Sequence, residues 1–545
     1  MKTKRLIPYV MTSILTMQAH AIISDSSNNV NGQPLQIQQM NINADSNIQV
    51  MQAQQPVAVI QASVNSEALN RLNQMISVLE HEGMQKEWYL SSSVSQQLMN
   101  MAQSQGESVV RNSVEQIVIR ALRDLNRGYV TPDRLPSKTI VTPKEVSSKA
   151  LQEAAQGFVS GRYSVHDVVG QFRPKNVNYV KLLKIYQKIV AMKEAGEIMS
   201  APDKLSTVKK GATDAKSILY ARQRLAMFGY DNNTSETTYT SDLEQAIRDL
   251  QENNLLKPDG VLGINTFGLL NTPVDQIISS LKINLDRSRW LPDVMAKDNE
   301  YVHVNLAAQR LFYYKDNVIT LTFRTINGRV ERQTPIMFDK INHMRINPTW
   351  TIPSTIMFKD KLPIFSSDPG KVSAMHMKLV SDVDGREIDP YSVNWSSLSQ
   401  SYMPFSVVQK PGPWNALGFI KFPLLVNREA IYMHDTNDRH LFANSKRLMS
   451  SGCVRIEKPF ELAEKLLSNK TDSSGYPIYS ADTLRSMSEG LAVPPENDTK
   501  IDLGRTVPVY LLYETAQVND HGQMTLVSDA YGVDAMTYRL MISGR

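Results

Sequence analysis

Cysteine is nearly absent from this chain of 545 residues, which contains only Cys453. A single thiol cannot form an internal disulfide, so the fold does not depend on a disulfide framework. A lone cysteine is more often a small buried apolar residue than a nucleophile. The residues around Cys453 must decide between these two interpretations.

Long apolar runs and a strong excess of one charge are also missing. No stretch after the N-terminus approaches 18 consecutive apolar residues, so we expect a protein that is not integral to a membrane. The formal net charge of +5 falls to +2 without Lys2, Lys4 and Arg5, which argues against nucleic acid as a partner. A hydrophobic fraction of 42% and a mean hydropathy of -0.30 are typical of globular domains.

The N-terminus has the pattern of a secretory signal peptide over residues 1–21. A basic start is followed by an apolar stretch at 6–17 and by the small residues Ala19 and Ala21. An uncleaved anchor is the alternative, but the apolar stretch is shorter than the roughly 20 residues that span a bilayer. We therefore expect an exported protein with a cleaved leader.

Composition and periodicity change several times along the rest of the chain. Residues 22–64 are rich in Asn, Gln and Ser and predict a flexible tether. Residues 65–204 carry helical spacing and predict a helical scaffold domain. Residues 205–272 contain two amphipathic helical stretches and then a turn at Asp259-Gly260, which predicts a small three-helix module.

The C-terminal half has the period-two pattern of β-strands. Residues 276–490 therefore predict a mostly β domain, within which about 355–405 is less strand-like and predicts a lid subdomain. Residues 491–545 form a C-terminal segment that we expect to pack on the scaffold or on the β domain. The predicted fold class is a multi-domain α+β protein.

One segment of this β domain carries a candidate catalytic pair. His434 ends an apolar strand and Cys453 follows a polar turn. An imidazole within hydrogen-bond reach can take the proton of a thiol and generate the nucleophilic thiolate. Gly452 allows close approach to the backbone, where N–H groups can face an oxyanion. Asp435 either orients the His434 ring or caps the next turn.

Zinc binding is the alternative chemistry for this segment. His434, Asp435 and His440 are potential ligands, but their spacing does not suit one helical face and no third strong ligand is nearby. The sequence therefore favours a site without a metal or another cofactor.

These residues resemble the active-site signature of the L,D-transpeptidases. The signature is carried by H-D-T at 434–436 and S-S-G-C-V-R at 450–455. Many members have His before the glycine, whereas this chain has Ser451. This form, with N-A-L-G at 415–418 and N-P-T-W-T-I-P at 347–353, is similar to the large multi-domain branch of Gram-negative bacteria. Residues 205–272 resemble the peptidoglycan-binding module of cell-wall enzymes.

The resemblance implies a periplasmic enzyme that acts on peptidoglycan. Cys453 would attack the carbonyl of the third residue, diaminopimelate, in a tetrapeptide stem and release D-alanine. A side-chain amine of another stem would then accept the acyl group, with His434 as base and then acid. Water (a carboxypeptidase) and a protein lysine (a lipoprotein-anchoring transferase) remain alternative acceptors. A non-catalytic wall-binding scaffold is the alternative from another class.

The resemblance also suggests roles for the neighbouring residues. Tyr432 lines the oxyanion region or is a core tyrosine, and Arg455 either holds a stem carboxylate or braces the loop. The expected partners are peptidoglycan stem peptides and glycan, with other cell-wall synthases as further candidates. The candidate substrate-binding residues are Arg455, Ser451, Trp414 and Asn415.

Overall fold

The computed structural model describes residues 66–136, 138–231, 233–295, 300–426, 430–489 and 498–543. The predicted signal peptide and tether lie outside these residues. From Glu67 onward the chain forms one compact unit. The predicted multi-domain α+β class is confirmed, because a helical N-terminal region and a small helical module precede a mostly β region.

The N-terminal scaffold consists of helices whose apolar side chains repeat every three to four residues. In the longest helix Val110, Val114, Val118 and Leu122 are all fully buried along one face. A capping box between Ser164 and Asp167 starts a shorter helix. The scaffold elements are α1 (Glu67–His81), α2 (Ser92–Gln105), α3 (Glu107–Arg127), β1 (Thr139–Ile140), α4 (Ser148–Val159), α5 (Val165–Phe172) and α6 (Val177–Glu194).

The small helical module follows the scaffold, and a long helix leads from it to the β region. A short turn with Gly260 at φ +73° precedes the third helix of the module. Leu225, Leu243, Ile247 and Leu262 are fully buried in its core. The elements are α7 (Ala215–Met227), α8 (Ser241–Asn253), α9 (Ile264–Leu270) and α10 (Val274–Ser288).

Eight strands of the β region pair into a closed ring. Their order is β5, β10, β11, β13, β4, β3, β2 and β14, and β14 pairs again with β5. The short strand β12 pairs with β4, and β1 of the scaffold pairs with β5. The bounds are β2 (Tyr301–Asn305), β3 (Arg310–Lys315), β4 (Val318–Gly328), β5 (Ile336–Ile346), β10 (Ile420–Pro423), β11 (Tyr432–His434), β12 (Leu448–Ser450), β13 (Val454–Ile456) and β14 (Thr499–Leu512).

A lid subdomain is inserted between β5 and β10. A four-stranded antiparallel sheet in the order β6, β9, β7, β8 packs with short helices around Phe365, Leu379 and Trp395. The same apolar cluster includes Tyr432, with Cys453 packed against it. The lid elements are β6 (Trp350–Thr351), α11 (Ser354–Ile356), a π-helical turn (Met357–Lys361), α12 (Leu362–Ser367), α13 (Lys371–Ala374), β7 (Met377–Ser381), β8 (Glu387–Ile388) and β9 (Phe405–Gln409).

The C-terminal segment contributes to both the sheet and the scaffold. Strand β14 runs along β5 from Thr499 to Leu511, the longest pairing in the fold. Trp88 Nε1 of the scaffold donates to Met541 O at 3.1 Å. The remaining elements are α14 (Pro459–Leu466), α15 (Ala481–Glu489), β15 (Ala516–Val518), β16 (Met524–Leu526) and α16 (Val533–Ile542).

Candidate active site

Cys453 lies in the tight loop between β12 and β13, which hydrogen bonds hold from two sides. Within the loop, Ser450 Oγ donates to Cys453 O at 2.6 Å and accepts from Gly452 N at 3.1 Å. From outside, Thr334 Oγ1 donates to Gly452 O at 2.7 Å. Gly452 has φ +123°, a conformation that side-chain-bearing residues rarely adopt. The loop therefore fixes the position of the cysteine.

Strand pairing brings Tyr432 and His434 next to this loop. Strand β11 runs parallel to β13, with Met433 opposite Val454 and His434 opposite Arg455. This register places Tyr432 beside Cys453, and the backbone N–H and hydroxyl of Tyr432 both act as hydrogen-bond donors that lower the pKa of the thiol. The Tyr432 and His434 rings lie on one face of the strand, 5.5 Å apart between centroids.

The candidate catalytic residues Cys453 and His434 are both uncharged. Cys453 is partly exposed, but the packing around its sulfur raises the pKa of the thiol, and this effect outweighs the Tyr432 donors and the nearby cations. His434 is 4% exposed, and burial together with the positive charge of Arg455 lowers its pKa to about 3. At neutral pH the structure therefore holds a thiol and a neutral imidazole, which is the state able to accept a proton.

Asp435 meets His434 through its backbone instead of its carboxylate. The carboxylate is buried and accepts hydrogen bonds from Phe419 N at 2.9 Å and from the Arg439 guanidinium at 2.8 Å. The backbone of Asp435 raises the pKa of His434 against the larger effect of burial. The Asp435 carboxylate thus anchors the turn before β10, where Gly418 has φ +58° and a Cβ atom would lie 2.4 Å from that carboxylate.

The candidate substrate-binding residues have different surroundings. Ser451 Oγ accepts from Arg332 at 3.0 Å, and Arg455 forms an ion pair with Asp438 at 3.2 Å. The Trp414 ring is half-buried and stacks on the lid residue His376, with 3.9 Å between ring centroids.

Asn415 is fully buried and its amide is committed to the protein. Its Nδ2 donates to Pro348 O at 3.0 Å and to Lys410 O at 2.9 Å, and its Oδ1 accepts from Leu417 N at 2.8 Å. These contacts stabilise the turn. They use both N–H groups of the Asn415 amide, so these groups have no hydrogen bond left to donate to a substrate.

Two residues near the site were missed by sequence reasoning. Lys421 stands opposite His434 on β10, and its ammonium group lies 4.1 Å from the centroid of the Tyr432 ring. Arg332 bridges Ser451 and the lid residue Asp360. The alternation of Ile420, Lys421 and Phe422 does signal a strand with one polar face, but the register with β11 is not readable from sequence. Arg332 carries no sequence signal.

The described residues were compared with the requirements of a metal site and of a membrane-spanning helix. No three or more of their His, Cys, Asp and Glu side chains are grouped so that they could hold a metal ion. None of the helices in these residues is long and apolar enough to cross a membrane.

Comparison with known proteins identifies two segments of the chain. Residues 299–494 match the family model described as "L,D-transpeptidase catalytic domain". This segment is therefore similar to L,D-transpeptidase catalytic domains. The loop of Cys453, β11 and the lid all lie within the matched residues. Residues 215–270, which include α7, α8 and α9, match the model described as "Putative peptidoglycan binding domain".

One curated protein and two solved structures are similar to parts of this chain. A curated protein of Haemophilus influenzae named "Putative L,D-transpeptidase" is 33% identical over 258 residues, which are 47% of this chain. The match spans about half the length of that relative, 48%. Solved L,D-transpeptidase structures from Xylanimonas cellulosilytica and Stackebrandtia nassauensis are 14% and 10% identical, with TM-scores of 0.17 and 0.21. They cover 57% of this chain and 100% and 96% of their own chains. The assignment rests on the family models and the curated relative.

Proposed function

We propose that this protein is a cysteine-dependent peptidoglycan transpeptidase that links the third residues of two stem peptides. The observation that carries the proposal is the position of Cys453, on a rigid loop beside Tyr432 and the buried neutral His434. A nucleophile, a proton acceptor and hydrogen-bond donors on adjacent strands are the components that acyl transfer requires.

In the first step, the Cys453 sulfur attacks the third-residue carbonyl of a tetrapeptide stem and its proton passes to His434. The oxyanion takes hydrogen bonds from the Cys453 N–H and the Tyr432 hydroxyl, since the Gly452 N–H already donates to Ser450. Trp350 Nε1 donates to the Tyr432 oxygen at 3.1 Å and does not use the hydroxyl hydrogen, which can turn from the sulfur to the oxyanion. The C–N bond then breaks, and His434 returns the proton to the departing D-alanine amine.

In the second step, an amine resolves the thioester. The side-chain amine of a diaminopimelate residue in another stem attacks the acyl carbon, and His434 accepts the amine proton. The C–S bond breaks and the sulfur recovers its proton from His434, so that each proton moved in the cycle is returned. The lid packed against Cys453 favours the amine over water by limiting solvent at the thioester.

The proposed setting is the periplasm, with peptidoglycan as substrate and anchoring surface. The peptidoglycan-binding domain match supports glycan or stem contact outside the catalytic domain. The predicted leader at 1–21 and any cell-wall synthase partner remain predictions. Water or a protein lysine as acceptor would use the same thioester.

The proposal is tested by incubating the protein without residues 1–21 with disaccharide-tetrapeptide and analysing the products by mass spectrometry. We expect a cross-linked dimer formed with loss of one D-alanine, and none from the Cys453→Ala variant. The His440→Ala variant removes an exposed histidine near the site and should retain the activity. Tripeptide as the sole product would identify a carboxypeptidase, and an active Cys453→Ala variant would refute cysteine catalysis.

A further inference from the structure

A row of basic side chains crosses the sheet at the level of the catalytic histidine. In the strand register, Arg455 lies opposite His434, His434 opposite Lys421, Lys421 opposite Arg345, and Arg345 opposite Lys500. Directly opposite residues project from the same face of a sheet. The five side chains therefore form one line across β13, β11, β10, β5 and β14, on the face away from the buried Met344, Phe422 and Met433.

Three cations of this row have a carboxylate partner. Arg455 pairs with Asp438 at 3.2 Å, Arg345 with Asp498 at 2.9 Å, and Lys500 with Asp502 at 3.0 Å. Lys421 differs, because among the described residues no carboxylate forms an ion pair with its ammonium group; the charge of Asp498 reaches it, but Asp498 is paired with Arg345. A half-buried ammonium group without a directly bonded anion is poorly compensated, and a ligand carboxylate would compensate it.

Only the side chain of Tyr432 separates the ammonium group of Lys421 from the sulfur of Cys453. Its ammonium group is over the Tyr432 ring, and Tyr432 donates hydrogen bonds to the Cys453 sulfur. Lys421 is also close enough to Cys453 for its charge to act on the thiolate form of that residue. In a tetrapeptide donor, only one nitrogen and one Cα atom separate the scissile carbonyl from the terminal carboxylate, so its binding group must be this close to the sulfur.

We propose that Lys421 binds the terminal carboxylate of the donor stem and selects donors that end one residue after the scissile carbonyl. This inference rests on the proposed function and adds the residue that sets donor length. A stem with a further residue or a capped terminus would place a neutral amide at the ammonium group, which offers a weaker partner than a carboxylate. Lys421 thus acts as a specificity-determining residue.

The test compares two disaccharide-tetrapeptides that differ only at the C-terminus, one with D-alanine as the free acid and one with D-alaninamide. We expect the full-length protein to release D-alanine from the acid substrate. The kcat/KM of this reaction should be at least about tenfold above that for the release of D-alaninamide from the amide substrate. Lys421→Gln should bring this ratio close to one, whereas Lys421→Arg should preserve it. Lys184→Gln, which removes an exposed lysine of α6, is the matched control and should keep the wild-type ratio.

Binding gives a second measurement that does not depend on turnover. The Cys453→Ala variant should bind the acid more tightly than the amide by about the same factor, and adding Lys421→Gln should abolish the difference. An unchanged acid-to-amide ratio in Lys421→Gln, with the acid still processed, would overturn the inference and leave the proposed function intact. Equal losses on both substrates would overturn it as well. A wild-type protein that processes neither substrate would instead refute the proposed function.

Discussion

At the scale of single residues, the environment of the catalytic pair determines how the free enzyme responds to pH. His434 has a pKa of about 3 and stays neutral from there upward, while burial raises the pKa of Cys453. A neutral imidazole cannot stabilise a thiolate as an ion pair does. The thiolate–imidazolium pair that some cysteine enzymes form before substrate arrives is therefore not formed between these two residues.

We predict that alkylation of Cys453 by iodoacetamide rises about tenfold per pH unit between pH 7 and 9, because only the thiolate reacts. The second-order rate constant measured from pH 5 to 10 should show no plateau at acid pH. Because Cys453 is the sole cysteine, the signal comes from one site. A pH-independent rate between pH 5 and 7 would reveal a preformed ion pair and contradict these protonation states.

At the scale of structural elements, the sequence predicts those parts of the fold whose pattern is contained in a short continuous segment. The loop at 450–455, the strand ending at His434 and the three helices of the module each carry a local pattern. The sequence did not identify Lys421 and Arg332 as part of the site. The neighbours of Lys421 depend on strand register, and those of Arg332 depend on a contact with the lid between distant positions. A one-residue slip of β10 would turn Lys421 to the core face, and no local pattern fixes that register.

The lid is joined to the nucleophile loop through one arginine. Arg332 follows β4 in a 3-10 turn, binds both oxygens of Asp360 on the lid and donates to Ser451 Oγ at 3.0 Å. Its side chain is 13% exposed and that of Asp360 37%. The pairing raises the pKa of Arg332 and lowers that of Asp360, so both groups stay charged at neutral pH. We infer that this contact keeps the lid closed over Cys453.

We predict that Arg332→Gln increases the ratio of hydrolysed tripeptide to cross-linked dimer about two- to fivefold, because a looser lid admits water. Asp360→Asn should change the ratio in the same direction, and the double variant should not exceed Arg332→Gln, since both substitutions remove the ion pair between Arg332 and Asp360. Arg386→Gln, at a lid arginine that is 86% exposed, is the control and should leave the product ratio unchanged. Additive effects of the two substitutions would show that they act separately.

At the scale of the whole molecule, the small helical module of α7, α8 and α9 shares its apolar core with the C-terminal segment. Its core continues into the hairpin of β15 and β16, with Met524 and Leu526 in the same apolar cluster as α7 and α8. Met524 N donates to Phe228 O at 2.8 Å, and Leu526 N donates to Asn254 Oδ1 at 2.6 Å. Removing residues 205–272 would therefore expose the hairpin and part of the scaffold, so a deletion cannot isolate wall binding from folding.

A single glycine tests how strongly this junction stabilises the protein. Gly229 has φ +86°, and a Cβ atom there would lie 2.3 Å from Gly522 O of the hairpin turn. Gly211 in the same module has φ +85° with nothing within 4 Å of a Cβ atom. Gly211→Ala should cost about 1 kcal/mol of unfolding free energy from backbone strain alone. Gly229→Ala should cost about 2–4 kcal/mol, because the hairpin must also move away. Thermal unfolding of both variants measures the difference, and equal losses would mean that the hairpin accommodates a side chain and contributes little at this junction.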